Sequence, residues 1–198
     1  MKNDKPTTKI IAGMYKGKVL ELPSLDVTRS SKAVLKESLF NVLQFDIIDK
    51  IFIESFAGSG SIGLEAISRG AKRAYFIELD KNSYQILLKN CKSVDIEKCQ
   101  MVQGNTFVQT PLFLDFLKNS KDEIILYVDP PFDYREGMED IYKKSFHMIE
   151  DIEVDNIFMI IIEHLSNLEM PLVLGKFSLN KTRKFGKSAL SYYTYTKA

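Results

Sequence analysis

Lys50-Ile51-Phe52-Ile53-Glu54-Ser55-Phe56-Ala57-Gly58-Ser59-Gly60-Ser61-Ile62-Gly63 is the stretch on which the reading of this chain turns. Its apolar opening has the length and β-branching of a buried strand, and the glycines that follow open a helix. Strand, glycine turn and helix in that order begin an open α/β sheet whose ligand crevice lies at the carboxyl ends of its strands. Gly58, Gly60 and Gly63 match the pattern G-x-G-x-x-G, and Glu78 stands where a ribose-binding acid is expected. Two ligands suit these residues. One is a nicotinamide dinucleotide. The other is S-adenosyl-L-methionine, which also needs a backbone without Cβ atoms close to it and an acid for its ribose hydroxyls, but has no phosphate and carries a cationic sulfonium.

Outward from the loop, strand and helix patterns alternate. Strands are expected near residues 50–54, 74–78, 99–103, 124–128 and 157–162, and helices near 61–69, 81–93, 106–118 and 136–149. Such alternation implies a mostly parallel sheet with helices on both faces. Before it, Thr8 to Leu22 reads as a short basic hairpin, and Ser30 or Ser31 as the cap of a helix bearing Val34, Leu35, Leu39, Val42 and Leu43 at helical spacing. At the far end, Leu172–Ser178 and Leu190–Thr196 read as two strands joined by a basic turn around Gly186, an antiparallel addition to the sheet edge. The expected division is residues 1–45 as a basic extension and 46–198 as the main domain.

Three further features favour the methyl donor. Glu54 stands before the glycine loop, suited to a cationic amino acid moiety. Asn105 follows the third strand of the alternating region, placed to accept from an adenine amine. The fourth of these strands, Ile124-Ile125-Leu126-Tyr127-Val128, ends in Asp129-Pro130-Pro131-Phe132. A carboxylate, two prolines and an aromatic ring at a strand end suit a planar exocyclic amine, whose hydrogens Asp129 and the Pro130 carbonyl would accept while Phe132 stacks on the base. Each position also has a plain structural reading: Glu54 a cap, Asn105 a turn residue, Glu78 and Asp80 a solvated helix start, Asp129 turn chemistry.

With 198 residues, 45% of them hydrophobic, the chain suits one domain with a sizeable core. No apolar stretch approaches the roughly 20 residues of a membrane span, and the polar amino terminus lacks a signal peptide's apolar core, so a cytoplasmic location is expected. Cys91 and Cys99 have no metal-ligand spacing and read as reduced thiols; no metal is called for. Charge falls in blocks. Residues 1–36 hold eight Lys/Arg against three acids, residues 171–198 hold six against none, and residues 121–169 hold thirteen acids against four bases. Basic ends of this kind suit a polyanion, with Lys16 and Lys18 in the first hairpin and Lys181, Arg183, Lys184 and Lys187 in the terminal turn as phosphate contacts. A surface of alternating solvated blocks is the blander reading. His147 and His164 lie in or beside apolar runs and read as structural, and Tyr192, Tyr193 and Tyr195 as strand packing.

The chain resembles the RsmD family of bacterial methyltransferases, which modify guanine N2 in small-subunit ribosomal RNA. The resemblance runs through Ile10-Ile11-Ala12-Gly13 with Lys16-Gly17-Lys18, through Arg29-Ser30-Ser31-Lys32 to Glu37-Ser38-Leu39-Phe40-Asn41-Val42-Leu43, and through Phe56-Ala57-Gly58-Ser59-Gly60, Gly63-Leu64-Glu65-Ala66 and Ser68-Arg69-Gly70-Ala71 to Asp129-Pro130-Pro131-Phe132. It implies a Rossmann-like class I methyltransferase fold with a seven-stranded, mostly parallel sheet. It also implies S-adenosyl-L-methionine contacts at Glu54, Phe56, Ala57, Gly58, Ser59, Gly60, Gly63, Glu78, Leu79, Asn105 and Asp129, catalysis at Asp129 to Phe132, and RNA contacts that include Arg29 and Lys32. The partner implied is 16S rRNA in the small subunit or its assembly intermediate, met by a monomer. Glu54 replaces the usual Asp, and Ser30-Ser31 the commoner Pro-Thr. The enzymatic alternatives are an N6-adenine DNA methyltransferase or a protein glutamine methyltransferase; a nucleic-acid-binding protein that holds the cofactor without turnover is a third.

Overall fold

Two strands, β3 (Ile51–Ser55) and β6 (Ile124–Val128), are buried along their whole length and pair in parallel, with Ser55 opposite Val128. Strands this apolar need cover on both faces, and the remaining elements supply it. The computed structural model describes residues 6–23, 29–131 and 140–196. From β3 the chain passes through α2 (Ser61–Ser68), β4 (Arg73–Glu78), α3 (Lys81–Val94), β5 (Cys99–Gln103) and α4 (Thr106–Leu117) to β6, then through α5 (Ile141–Glu150) to β7 (Ile157–Leu165). Before β3 come the antiparallel pair β1 (Thr7–Lys9) and β2 (Val19–Glu21) and helix α1 (Arg29–Val42).

The large sheet closes with β8 (Val173–Leu174), β9 (Phe177–Phe185) and β10 (Ser188–Tyr195), in the order β5-β4-β3-β6-β7-β10-β9-β8. Strands β5 to β7 are parallel, and β10 joins β7 antiparallel. The strand order reverses direction between β3 and β6, and the crevice beyond that switch point is where an open α/β sheet binds ligands. This is the Rossmann-like arrangement expected, with one correction: among the described residues the sheet has eight strands, not seven. Gly175, at φ 56, turns the chain inside Leu172–Ser178, which is therefore two strands rather than one. A Cβ there would meet the Glu150 carbonyl oxygen at 2.6 Å. Strand β9 also runs on to Phe185, so Lys181, Arg183 and Lys184 lie on a strand, and only Gly186 and Lys187 make the turn.

One face of the sheet is covered by α1, α2 and α3, the other by α4 and α5. Ile10 and Leu20 from the β1–β2 hairpin share a core with Leu35, Leu39 and Phe40 of α1 and Phe52 of β3. The hairpin is fastened by two side chains of α2. Glu65, wholly buried, accepts from the Ile11 and Ala12 N–H groups at 2.8 and 3.0 Å and from Arg69 Nε at 2.8 Å. Ser68 Oγ donates to the Ala12 carbonyl at 2.6 Å and accepts from the Tyr15 N–H at 2.9 Å. Contact is so close that a Cβ on Gly13 (φ 86) would lie 1.9 Å from the Ser68 carbonyl oxygen. Among the described residues no helix is long and apolar enough to cross a membrane.

Candidate active site at the ends of β3 and β6

The glycine loop leaves β3 through an unusual backbone. Phe56, Gly58 and Gly60 have φ of 66, 54 and 74°, in the left-handed region that an L side chain such as that of Phe56 enters only under constraint. At Gly60 a Cβ would meet Leu87 Cδ1 at 2.4 Å, and at Gly63 it would meet Phe76 Cε1 at 2.4 Å. Gly58 differs: a Cβ there would meet nothing within 4 Å, so that side of the loop is open.

Carboxylates hold the loop in this shape. Glu54, 3% exposed, accepts from the Gly63 N–H at 2.8 Å, at the start of α2. Glu78, at the end of β4, accepts from the Gly58 N–H at 2.6 Å through one oxygen and from the Asp80 N–H at 2.7 Å through the other. The Ala57 N–H donates to the Ile77 carbonyl at 2.8 Å, and the Ser59 carbonyl accepts from Asn90 Nδ2 at 2.9 Å. Beside Glu78, Leu79 is 64% exposed, an apolar surface at a strand end. Asp80 caps α3 and accepts from the Ser83 N–H at 2.7 Å; that bond and the Ser83 hydroxyl hold its carboxyl below the ordinary value. Asn105 caps α4, accepting from the Phe107 N–H at 2.9 Å, and the Phe107 ring meets Phe56 edge-on at 5.8 Å. Asp80 thus opens a helix as its plain reading has it, whereas Glu78 ends a strand and braces the glycine loop, and Asn105 caps a helix.

Asp129 begins the second loop. Its N–H donates to the Ser55 carbonyl at 3.4 Å, which sets the first residue after β6 beside the last of β3. Asp129 is half-buried and Pro130 buried; Phe132 lies outside the described residues. Beneath them, the Tyr127 hydroxyl donates to Glu163 Oε2 at 2.5 Å, and burial with the neighbouring Glu163 carboxylate pushes the phenol well above its usual range.

The basic residues lie in the hairpin and along β9 with the turn that follows it. Lys16 and Lys18 are exposed in the hairpin, as are Lys181, Arg183, Lys184 and Lys187 at the other end of the chain, while the side chains of Arg29 and Lys32 lie outside the described residues. His164 is buried, its Nδ1 against the Leu165 carbonyl at 2.8 Å and Nε2 against Ser191 Oγ at 2.8 Å, and burial lowers its pKa. His147 is instead exposed beside Glu150. Tyr192 and Tyr193 are buried on opposite faces of the sheet, so neither presents a ring to an external base. Cys91 and Cys99 are free, buried thiols.

Three polar residues were not singled out by the sequence for what they do. Glu65 and Ser68 sit in a motif read as cofactor-binding, yet they fasten the hairpin. Asn90 was not singled out at all. Their common signal is a polar side chain on the buried face of a short amphipathic helix, as with Asn90 between Leu87 and Cys91.

The family model described as Conserved hypothetical protein 95 matches residues 8–194. The Ribosomal RNA small subunit methyltransferase D of Escherichia coli strain K12 is 30% identical over 188 residues, which span 93% of this chain and 88% of that protein. Its namesake in Haemophilus influenzae is 37% identical over 135 residues, 67% of each chain. The solved structure of yhhF from Escherichia coli covers 98% of this chain and 100% of its own, with a TM-score of 0.74 and 29% identity.

Proposed function

The chain belongs to the RsmD family, the one matched by the Conserved hypothetical protein 95 model, and from that premise we propose that it methylates the exocyclic N2 amine of a guanine in 16S ribosomal RNA, using S-adenosyl-L-methionine. The observation that carries this reading is the pairing of Ser55 with Val128. It starts the glycine loop and the Asp129-Pro130-Pro131 loop side by side, one suited to a methyl donor and the other to an amine.

The residues present fit that donor better than a dinucleotide. A pyrophosphate needs free N–H groups at the helix start, but the Gly63 N–H is bonded to Glu54, whose carboxylate opposes a second anion. The same carboxylate favours a cationic amino acid moiety. Glu78 would take the ribose hydroxyls, Leu79 and Asn105 the adenine, and the open side of Gly58 would admit the ligand backbone. When bound, S-adenosyl-L-methionine supplies a methyl group on a sulfonium and leaves as S-adenosylhomocysteine.

Asp129 and the Pro130 carbonyl accept the two hydrogens of the amine. This favours a pyramidal nitrogen, because the lone pair otherwise delocalised into the ring is turned toward the methyl group. A hydrogen bond to a charged group is worth about 1.5–3 kcal/mol, enough to orient the amine. Two prolines fix φ and remove two N–H donors, so the Pro130 carbonyl is presented as an acceptor in a set geometry. As the N–C bond forms and the C–S bond breaks, the proton on nitrogen passes to Asp129 or to water. Phe132 stacks on the base. The base must be unpaired or flipped, at a cost of a few kcal/mol, and Lys16, Lys18, Arg29 and Lys32 with Lys181, Arg183, Lys184 and Lys187 offset this by holding phosphates. The protein acts as a monomer in the cytoplasm, on the small subunit or its assembly intermediate.

The test is nucleoside mass spectrometry of small-subunit rRNA after incubating unmodified 30S particles with the protein and S-adenosyl-L-methionine. N2-methylguanosine that appears with the wild type and not with Asp129→Ala supports the reading. Methylated adenine in DNA or methylated glutamine in protein, with no methylguanosine, would replace it.

A further inference from the structure

Asn90 of α3 is 3% exposed, and both ends of its amide are engaged. Oδ1 accepts from the Glu21 N–H at 2.9 Å, and Nδ2 donates to the Glu21 carbonyl at 2.9 Å. These two bonds imitate β-pairing, so Asn90 grips β2 as a neighbouring strand would. Its second Nδ2 hydrogen reaches the Ser59 carbonyl at 2.9 Å, inside the glycine loop. An amide nitrogen has two hydrogens and both are used, so a displacement of β2 is felt at Ser59.

The two things joined here are a basic hairpin and a constrained loop. The hairpin exposes Lys16 and Lys18, and the Tyr15 hydroxyl ties its turn to the end of the same helix through Asp95 at 2.9 Å. The loop, with left-handed backbone on either side of Ser59, closes on the Gly60 N–H to Ala57 carbonyl bond at 2.7 Å and is braced further by bonds from outside itself. Glu78 supplies one at Gly58 and Asn90 another at Ser59.

We propose that Asn90 is a positioning residue that makes RNA binding and cofactor binding depend on each other, by carrying order from the hairpin to the glycine loop. The inference rests on the functional reading above, in which the hairpin grips RNA and the loop holds S-adenosyl-L-methionine. Phosphates on Lys16 and Lys18 hold the hairpin; β2 then holds Asn90, and Asn90 holds the Ser59 carbonyl with the loop in its receiving shape. Linkage makes the effect reciprocal: RNA and cofactor tighten each other by the same factor.

Equilibrium binding of S-adenosylhomocysteine, which occupies the site without turnover, tests this with and without saturating unmethylated 30S particles. For the wild type, the particles tighten binding by about five-fold or more, the lower end of ordinary allosteric coupling. In Asn90→Asp, which keeps the acceptor for Glu21 but loses both donations, the ratio collapses toward one. Asn90→Gln, with every donor on a longer arm, also loses it, which guards against a folding defect peculiar to the aspartate. Ser68→Ala is the contrast, since it loosens the hairpin from α2 without touching the loop. It weakens particle binding and keeps the ratio. A ratio preserved in both Asn90 variants, or lost equally in Ser68→Ala, overturns the proposal. Wild type that binds the cofactor equally well with and without particles sinks the coupling alone; wild type that binds no cofactor sinks the functional reading with it.

Discussion

The glycine loop after β3 and the Asp129–Pro131 segment after β6 leave neighbouring strands at the same level but are held by opposite means. The first is shaped by distant residues: Glu54 on Gly63, Glu78 on Gly58, Asn90 on Ser59, and the walls of Leu87 and Phe76 that exclude a Cβ at Gly60 and Gly63. The second is joined to the sheet by the Asp129 N–H on the Ser55 carbonyl at 3.4 Å, and two consecutive prolines add a stiffness that is covalent. On the proposed reading, a loop that receives a whole cofactor gains from being braced on many sides. On the same proposed reading, the prolines of the second loop keep its acceptors in order for an arriving base.

The contrast can be broken or sharpened experimentally. The largest effect belongs to Asp129→Ala, expected to lower kcat by about 10²–10⁴-fold while the cofactor Kd changes far less; an unchanged kcat would remove the carboxylate from the reaction. Gly60→Ala should act on stability. Its Cβ would lie 2.4 Å from Leu87 Cδ1 at φ 74, and overpacking with left-handed strain predicts a loss of about 2–4 kcal/mol in urea unfolding.

Asp80→Ala, which removes a cap at the rim of the cofactor side, should cost about 1 kcal/mol near neutral pH. The folded Asp80 carboxyl gives up its proton more readily than the unfolded one, so its contribution is present above about pH 4 and is lost as pH falls through the folded value. Wild type and variant should therefore converge in acid; a constant gap would mean that the cap does not act through the ionised carboxylate. Smallest is Pro131→Ala, for which stability should change by no more than about 1 kcal/mol. Here kcat should fall while the cofactor Kd holds, and an unchanged kcat would remove the prolines from the account of how the amine is oriented.

Much of this was legible in the chain because it is local. The strand–glycine–helix order, the alternating pattern through β7 and the Asp129-Pro130-Pro131 loop all follow from short-range spacing. Boundaries set by pairing were less so: β7 runs to Leu165 because β10 lies along it, and Gly175 divides what periodicity reads as one strand. Asn105 shows a residue whose two readings do not compete, since it caps α4 at the very rim where adenine was expected.

What the sequence determined by itself is the identity and order of the groups at the crevice, because a glycine turn, a carboxylate after a strand and a pair of prolines act through backbone geometry that a few residues fix. What only the tertiary structure decided is who holds them. Glu65, Ser68 and Asn90 bond backbone 53, 56 and 69 residues away, and no short-range pattern names the partner of a buried polar side chain. Burial supplies the reason: once water is excluded, each such group must find a partner inside the fold, and the folding of distant segments selects which one.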